Sequence, residues 1–236
     1  MKILAIDTST HVMGAALAED DKLLGEYITN FKKNHSLRLM PAIDHLMNEL
    51  EIEPKELDAI AVAKGPGSYT GVRIGVTTAK SMAWALNIPI YGISSLQMIA
   101  QNGKYFSGYI CPFMDARRGQ VYTGLYTSDN GCVTEVEQDR IIILEDWIDL
   151  LKEKQESVLF LSQEWDKHKE SIQEKLSRQV VYGEFSDMLP KPSKLLEVVL
   201  NQGESISSHE LVPEYTQLTE AEKNWLASNK GKKNDG

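Results

Sequence analysis

The sequence predicts an α/β protein built as two related lobes, each a mixed sheet flanked by helices. Three observations carry this expectation. Short apolar runs of strand length alternate with longer segments of helical period. One buried strand passes into a helix through the glycine-rich turn Gly65-Pro66-Gly67. An apolar strand closed by an acid and a polar turn occurs twice, ending at Asp7 and at Asp115, with matching topology and almost no matching identities. We place a first lobe at 1–103, a second at 104–225, and a disordered tail at 226–236, where Ser, Asn, Lys, Gly and Asp replace apolar residues.

In chain order, residues 3–6 read as a fully buried strand, residues 13–17 as its hairpin partner and residues 23–28 as a third strand after the acidic turn Glu19-Asp20-Asp21. A helix follows, in which Leu39, Met40, Ile43, Leu46, Met47 and Leu50 recur at three- and four-residue steps, with Asn34 or Ser36 as its cap. Residues 57–63 give another buried strand, and 70–86 a helix ended by Asn87 and Pro89. The pattern then restarts: strands at 109–114, 121–126, 133–136 and 141–144, a helix at 146–154, a strand at 158–161 and a polar helix at 164–176.

Composition narrows the functional classes. With 42% hydrophobic and 25% charged residues, the 236-residue chain has enough apolar material for a substantial core. A net charge of −9 and a pI near 5.1 oppose a surface that grips RNA by itself, so RNA is expected to be reached only through a partner. Two cysteines, Cys111 and Cys132, supply neither a disulfide framework nor a thiolate metal site. The amino terminus meets Asp7 after four apolar residues, too early for a signal-peptide core or a membrane span. A cytoplasmic protein in a reducing compartment, with no membrane contact, is expected.

The turn at Gly65–Gly71 lies between strand and helix, where free N–H groups favour anions, but it lacks the Gly-Lys-Ser/Thr ending of a P-loop; a plain tight turn is the alternative. In the helix that follows, Gly71, Gly75, Ala79 and Ala83 leave one face without bulk. Two interior glycines cost about 1 kcal/mol each against alanine, so close packing must compensate, either on the chain's own sheet or on a helix of a second subunit.

Several segments carry a family resemblance: Ile3 to Thr10, Gly65 to Gly75, Ser94-Ser95-Leu96, and Met114-Asp115-Ala116-Arg117-Arg118-Gly119-Gln120-Val121-Tyr122, with Pro213-Glu214-Tyr215 near the end. Over roughly residues 1–126 the chain resembles the TsaB family, also called YeaZ. The resemblance implies an actin-like ATPase (ribonuclease H-like) fold of two duplicated lobes. It also implies a non-catalytic role beside a TsaD-type catalytic subunit and a TsaE-type ATPase, in transferring a threonylcarbamoyl group to the adenosine next to the tRNA anticodon. The family's dimer contact maps onto residues 36–50 and 70–86. This makes Leu39, Ile43, Leu46, Met47, Gly71, Val72, Arg73, Gly75, Val76, Ala79, Met82 and Ala83 the interface candidates, the apolar ones read as an exposed patch. A homodimer is expected when the partner is absent, and Gly75→Trp is expected to break association without unfolding the monomer.

Actin-like ATPases set acids on two hairpin turns facing Mg-nucleotide, so Asp7, Ser9 and Asp115 are the nucleotide-binding candidates; the alternative is that both aspartates cap turns. Arg117 and Arg118 stand where phosphate loops use small residues, so no intrinsic cofactor is expected, and ATP or ADP only in the assembled complex. The catalytic relatives' His-x-x-x-His metal pair falls at Ser95 and Ile99, which cannot ligate a transition metal, and His11, His35, His45, His168 and His209 show no paired spacing. No metal and no catalytic residue are therefore assigned. After the Pro-x-Tyr segment, Thr216-Gln217 stands where the family often has an arginine. The competing readings are an autonomous metallopeptidase of glycoprotease type and a small-molecule kinase or ATPase of the actin-like superfamily.

Overall fold

The computed structural model describes residues 1–214; Tyr215, Thr216-Gln217 and the tail expected at 226–236 lie outside the described residues. Strands β1 (Lys2–Asp7), β2 (Val12–Glu19) and β3 (Lys22–Asn30) form an antiparallel meander, followed by α1 (His35–Glu49), β4 (Ala59–Gly65), α2 (Tyr69–Leu86), β5 (Ile90–Ser94) and the short α3 (Ser95–Ala100). The second half repeats this order as β6 (Tyr109–Asp115), β7 (Gln120–Asp129), β8 (Cys132–Ile143), α4 (Leu144–Glu153), β9 (Val158–Leu161), α5 (Trp165–Leu176), β10 (Val180–Tyr182) and α6 (Ser193–Gln202).

The two sheets have one topology. Their orders are β3-β2-β1-β4-β5 and β10-β9-β6-β7-β8, with β1 and β6 each antiparallel to the next strand and parallel to β4 or β9. This is the duplicated actin-like, ribonuclease H-like architecture that the family resemblance implies, and its two-lobe repeat is the one that the two acidic hairpins announced. Each central strand is buried on both faces, which is why 3–6 and 110–113 are unbroken apolar runs rather than alternating ones.

The core is layered. Leu4, Ile6, Met13 and Leu17 face α1 and α2; Phe113, Val121 and Leu125 face α4 and α5. Between the sheets lies a shared core in which the first sheet presents Ala5, Ala16, Ala18, Ala59, Ala61 and Ala63, so that α6 lies close against it. The lobe boundary is thus not a clean cut at 103/104. α6, assigned by sequence to the second lobe, packs on β1, β2, β4 and β5 of the first, while α3 packs on β6 and β7 of the second.

Other expectations are also corrected. The strands expected at 133–136 and 141–144 are one strand, β8, kept continuous through polar residues by register shifts against β7 between Thr123 and Tyr126. Leu144 belongs to α4 instead. β10 and α6 were not foreseen. Of the two cap candidates for α1, Asn34 takes the role, its side chain accepting from Ser36 N–H at 3.1 Å.

Candidate functional site

The helix pair α1/α2 has two distinct faces. Ten of the twelve interface candidates, namely Leu39, Ile43, Leu46, Met47, Gly71, Val72, Gly75, Val76, Ala79 and Ala83, are buried in the chain's own core; Arg73 is exposed and Met82 half-buried. The expectation that the apolar ones form an exposed patch is therefore corrected: the periodic stripe is the side that the sheet covers. The outward side is different. On α1 it carries Leu37, Met40 and Pro41, with Leu37 74% exposed. On α2 it carries Tyr69, Arg73, Thr77, Ser81 and Trp84, with Trp84 68% exposed. Where the helices meet, Ser36, Tyr69, Thr70, Arg73, Ile74, Thr77 and Thr78 line a shallow groove of about 400 Å³. The Arg73 guanidinium lies 5.0 Å from the Tyr69 ring centre and donates to its hydroxyl at 2.9 Å, so the two side chains form one amphipathic unit at the groove's edge.

The glycines of α2 answer to the β1–β2 turn, not to a second helix. A Cβ on Gly71 would be driven into the Thr8 carbonyl oxygen, and one on Gly75 would lie 2.5 Å from Thr8 Oγ1. Thr8 Oγ1 donates to the Gly71 carbonyl at 2.7 Å, and Ser68 N–H to the Ser9 carbonyl at 2.7 Å. Thus turn and helix are clasped backbone to backbone.

Asp7 and Ser9 have no accessible surface in this clasp. Asp7 Oδ1 accepts from Ser9 N–H at 2.9 Å, which is the turn-capping role; Asp7 Oδ2, Ser9 Oγ and His35 Nδ1 are buried without partners. Burial pushes the Asp7 carboxyl above its usual range, against the lowering effect of the Ser9 N–H hydrogen bond and of nearby His35. His35 Nε2 lies 2.9 Å from the Thr10 carbonyl, so this nitrogen carries the proton.

Asp115, the corresponding residue of the second lobe, is tied elsewhere. Its Oδ2 accepts from Lys167 Nζ, and His168 Nε2 lies 3.5 Å from Oδ1. Partial burial pushes this carboxyl up, but Lys167, the Arg117 N–H and His168 together hold it below the usual range. None of the three nucleotide-binding candidates offers a free polar atom to solvent in this conformation: two are enclosed and one is ion-paired.

At the start of α3, Ser94 caps the helix through Leu96 N–H and Gln97 N–H and donates to Asp139 Oδ2, while Tyr126 donates to Asp139 Oδ1 at 2.5 Å. Ser94 ends β5 and Asp139 lies on β8, so this network bolts the two sheets together. Burial raises the Asp139 carboxyl, partly offset by these two hydroxyls. Ser95 and Ile99 follow, both buried, and neither side chain supplies a nitrogen, carboxylate or thiolate ligand. Among the described residues no group of three or more His, Cys, Asp or Glu could hold a metal ion, and no helix is long and apolar enough to cross a membrane.

Of the outward face, sequence reasoning named only Arg73, and Met40 as part of a stripe to which it does not belong, being 48% exposed; Leu37, Tyr69 and Trp84 were missed because they interrupt rather than extend an apolar period. The available signal was a large apolar residue out of phase with the buried stripe. Asp139 was also missed: nothing local marks an acid whose partners come from two other strands.

The comparisons agree with this geometry. Residues 22–225 match the family model for TsaD, tRNA N6-adenosine threonylcarbamoyltransferase. The chain is 49% identical to the tRNA threonylcarbamoyladenosine biosynthesis protein TsaB of Bacillus subtilis over 98% of its own length and the whole of that protein. It is 32% identical to TsaB of Buchnera aphidicola (subspecies Schizaphis graminum), over 80% of this chain and 91% of that one. A Pseudomonas aeruginosa structure described as uncharacterized, with similarity to peptidase YEAZ, superposes with a TM-score of 0.79 at 25% identity, covering 92% of this chain and 99% of the other. The chain belongs to the TsaB (YeaZ) family of tRNA threonylcarbamoyladenosine biosynthesis proteins.

Proposed function

We propose that this protein is the non-catalytic partner subunit of a tRNA threonylcarbamoyl transferase. It docks on a TsaD-type catalytic subunit through the outward face of α1 and α2, and a TsaE-type ATPase completes the assembly. The observation that carries this reading is that face: Leu37, Met40, Tyr69 and Trp84 expose apolar surface on two adjacent helices around an open groove, in a chain whose internal packing is already satisfied by the opposite sides of the same helices. The non-catalytic part is supported by the enclosed Asp7 and Ser9, the ion-paired Asp115, and Ser95 and Ile99 at the metal-pair positions. ATP or ADP belongs to the assembled complex and not to this chain. In the absence of its partner the same face pairs with a second copy, since apolar surface left in water is costly.

The test is tRNA threonylcarbamoylation by the purified catalytic subunit and ATPase, with this chain added or omitted. Modification that requires the chain supports the reading, and equal modification without it refutes it. Peptide cleavage by this chain alone, lost on chelation, would favour the metallopeptidase instead.

A further inference from the structure

We propose that the groove between α1 and α2 is a receptor for a carboxylate: the catalytic subunit that docks there seats an aspartate or glutamate side chain against Arg73. This rests on the reading of the outward face of the two helices as the docking surface. The polar groups that line the groove are hydroxyls and one cation, with Ser36, Thr70, Thr77 and Thr78 around Arg73. Among the described residues no acid lines it. The 18 residues of α2 contain neither aspartate nor glutamate. The two acids of α1, Asp44 and Glu49, stand more than two turns beyond Ser36, roughly 12 Å or more along the axis, and Asp44 accepts from Asn48 at 3.1 Å. Glu214, beside the Gly65 turn that leads into α2, is paired with Lys64 at 3.1 Å.

The guanidinium is held ready for such a ligand. Arg73 is exposed, yet its side chain is anchored: it stacks on the Tyr69 ring at 5.0 Å and donates from Nη1 to the Tyr69 hydroxyl at 2.9 Å. That leaves Nε and Nη2 without a partner among the described residues. Their N–H bonds point the same way along one edge of the guanidinium plane, a fork that takes both oxygens of a carboxylate. Location adds to the field. Tyr69 is the first residue of α2, so a guanidinium drawn back to it lies beside the positive end of the helix dipole, where a further cation is unfavourable and an anion is stabilised. The N-cap, Ser68, gives Gly71 N–H only a neutral oxygen at 3.3 Å, and no acid stands in the first turn.

Docking turns this into a requirement on the partner. Covering the groove takes the guanidinium out of water, and a buried cation left without a counter-charge strongly opposes association. The groove supplies none of its own, so the counter-charge comes from the surface that covers it. Leu37, Met40 and Trp84 then give the contact its apolar area, and Arg73 gives it register.

The experiment measures the affinity of the catalytic subunit for the wild-type chain and for Arg73→Ala, Arg73→Lys and Arg73→Glu at several salt concentrations, with a melt of each chain alone. Arg73→Ala is expected to weaken association at least about thirtyfold and to flatten its salt dependence. Arg73→Glu should bind more weakly still, Arg73→Lys should fall between wild type and Arg73→Ala, and all melts should stay close to wild type. A second arm replaces the exposed aspartates and glutamates of the catalytic subunit by lysine one at a time and mixes each with Arg73→Glu; one of these reversals should restore most of the lost affinity. Wild-type affinity in Arg73→Ala, under conditions where Leu37→Asp/Met40→Asp abolishes the heteromer, overturns the carboxylate and leaves the docking face standing. A loss confined to Arg73→Glu also overturns it, because the guanidinium then stays in water at the rim of the contact. Losses that no reversal restores assign Arg73 to backbone carbonyls of the partner and likewise overturn it. If the wild-type chain forms no heteromer, the inference and the docking reading fail together.

Discussion

The β1–β2 and β6–β7 turns hold equivalent places in the two sheets and have opposite surroundings. The first is enclosed: Thr8 and Ser9 are pressed onto the glycines of α2, and Asp7 caps the turn without touching solvent. The second carries Arg117 and Arg118 at an exposed tip, and its acid is held by α5. In each case the helix after the fourth strand decides the outcome. α2 offers Gly71 and Gly75, so the turn descends onto its backbone; α5 offers Lys167 and His168, so the turn is held at side-chain length. The difference teaches that an acidic hairpin in this fold is a mechanical joint first and meets a ligand only where the neighbouring helix leaves it uncovered.

The strongest way to break the comparison is to fill the clasp. Gly75→Trp should destabilise the first lobe by about 3 kcal/mol or more in urea melts, because its side chain must displace Thr8 against the sheet; the expectation that this variant only separates subunits is withdrawn. Next comes the enclosed acid. Since burial raises its pKa in the folded state, the stability linked to Asp7 is fully present below the unfolded carboxylate value and is lost as pH rises through the folded one. Asp7→Asn keeps an acceptor for Ser9 N–H and removes the charge. It should therefore be more stable than wild type at neutral pH and equal to it near about pH 3, read from denaturant midpoints across pH.

Asp115 should behave with the opposite sign. Its lowered value means that its contribution is present above the unfolded pKa and is lost as pH falls through the folded one. Asp115→Asn should cost no more than about 1 kcal/mol at neutral pH, since Lys167 is well exposed, and the difference should close in acid. The smallest effect is expected at the tip. Arg117→Gly should raise stability by roughly 0.5 kcal/mol through relief of the left-handed conformation, part of the gain being returned to the more flexible unfolded chain.

Much of the fold was legible because the buried strands are unbroken apolar runs and because the acidic hairpin recurs; the family resemblance added the actin-like topology. What escaped was non-local. β10 is three residues long and among the described residues pairs only with β9, and α6 takes its place from alanines on strands more than a hundred residues earlier. At the candidate site, periodicity located α1 and α2 but marked the wrong sides of both. A 3.6-residue stripe reports the face buried by the chain itself, and Leu39, Ile43, Gly75 and Ala79 are that face. The surface left for a partner is written in residues that break the stripe, above all Leu37 and Trp84.

The most direct measurement is light scattering of the catalytic subunit mixed with wild-type chain or with Leu37→Asp/Met40→Asp, alongside a melt of each chain alone. Both substituted side chains are exposed, so the account predicts an unchanged melt, loss of the heteromeric peak, and loss of tRNA modification in the same mixture. A heteromer of undiminished affinity, formed by a variant that carries two carboxylates on the outward face of α1, would contradict it.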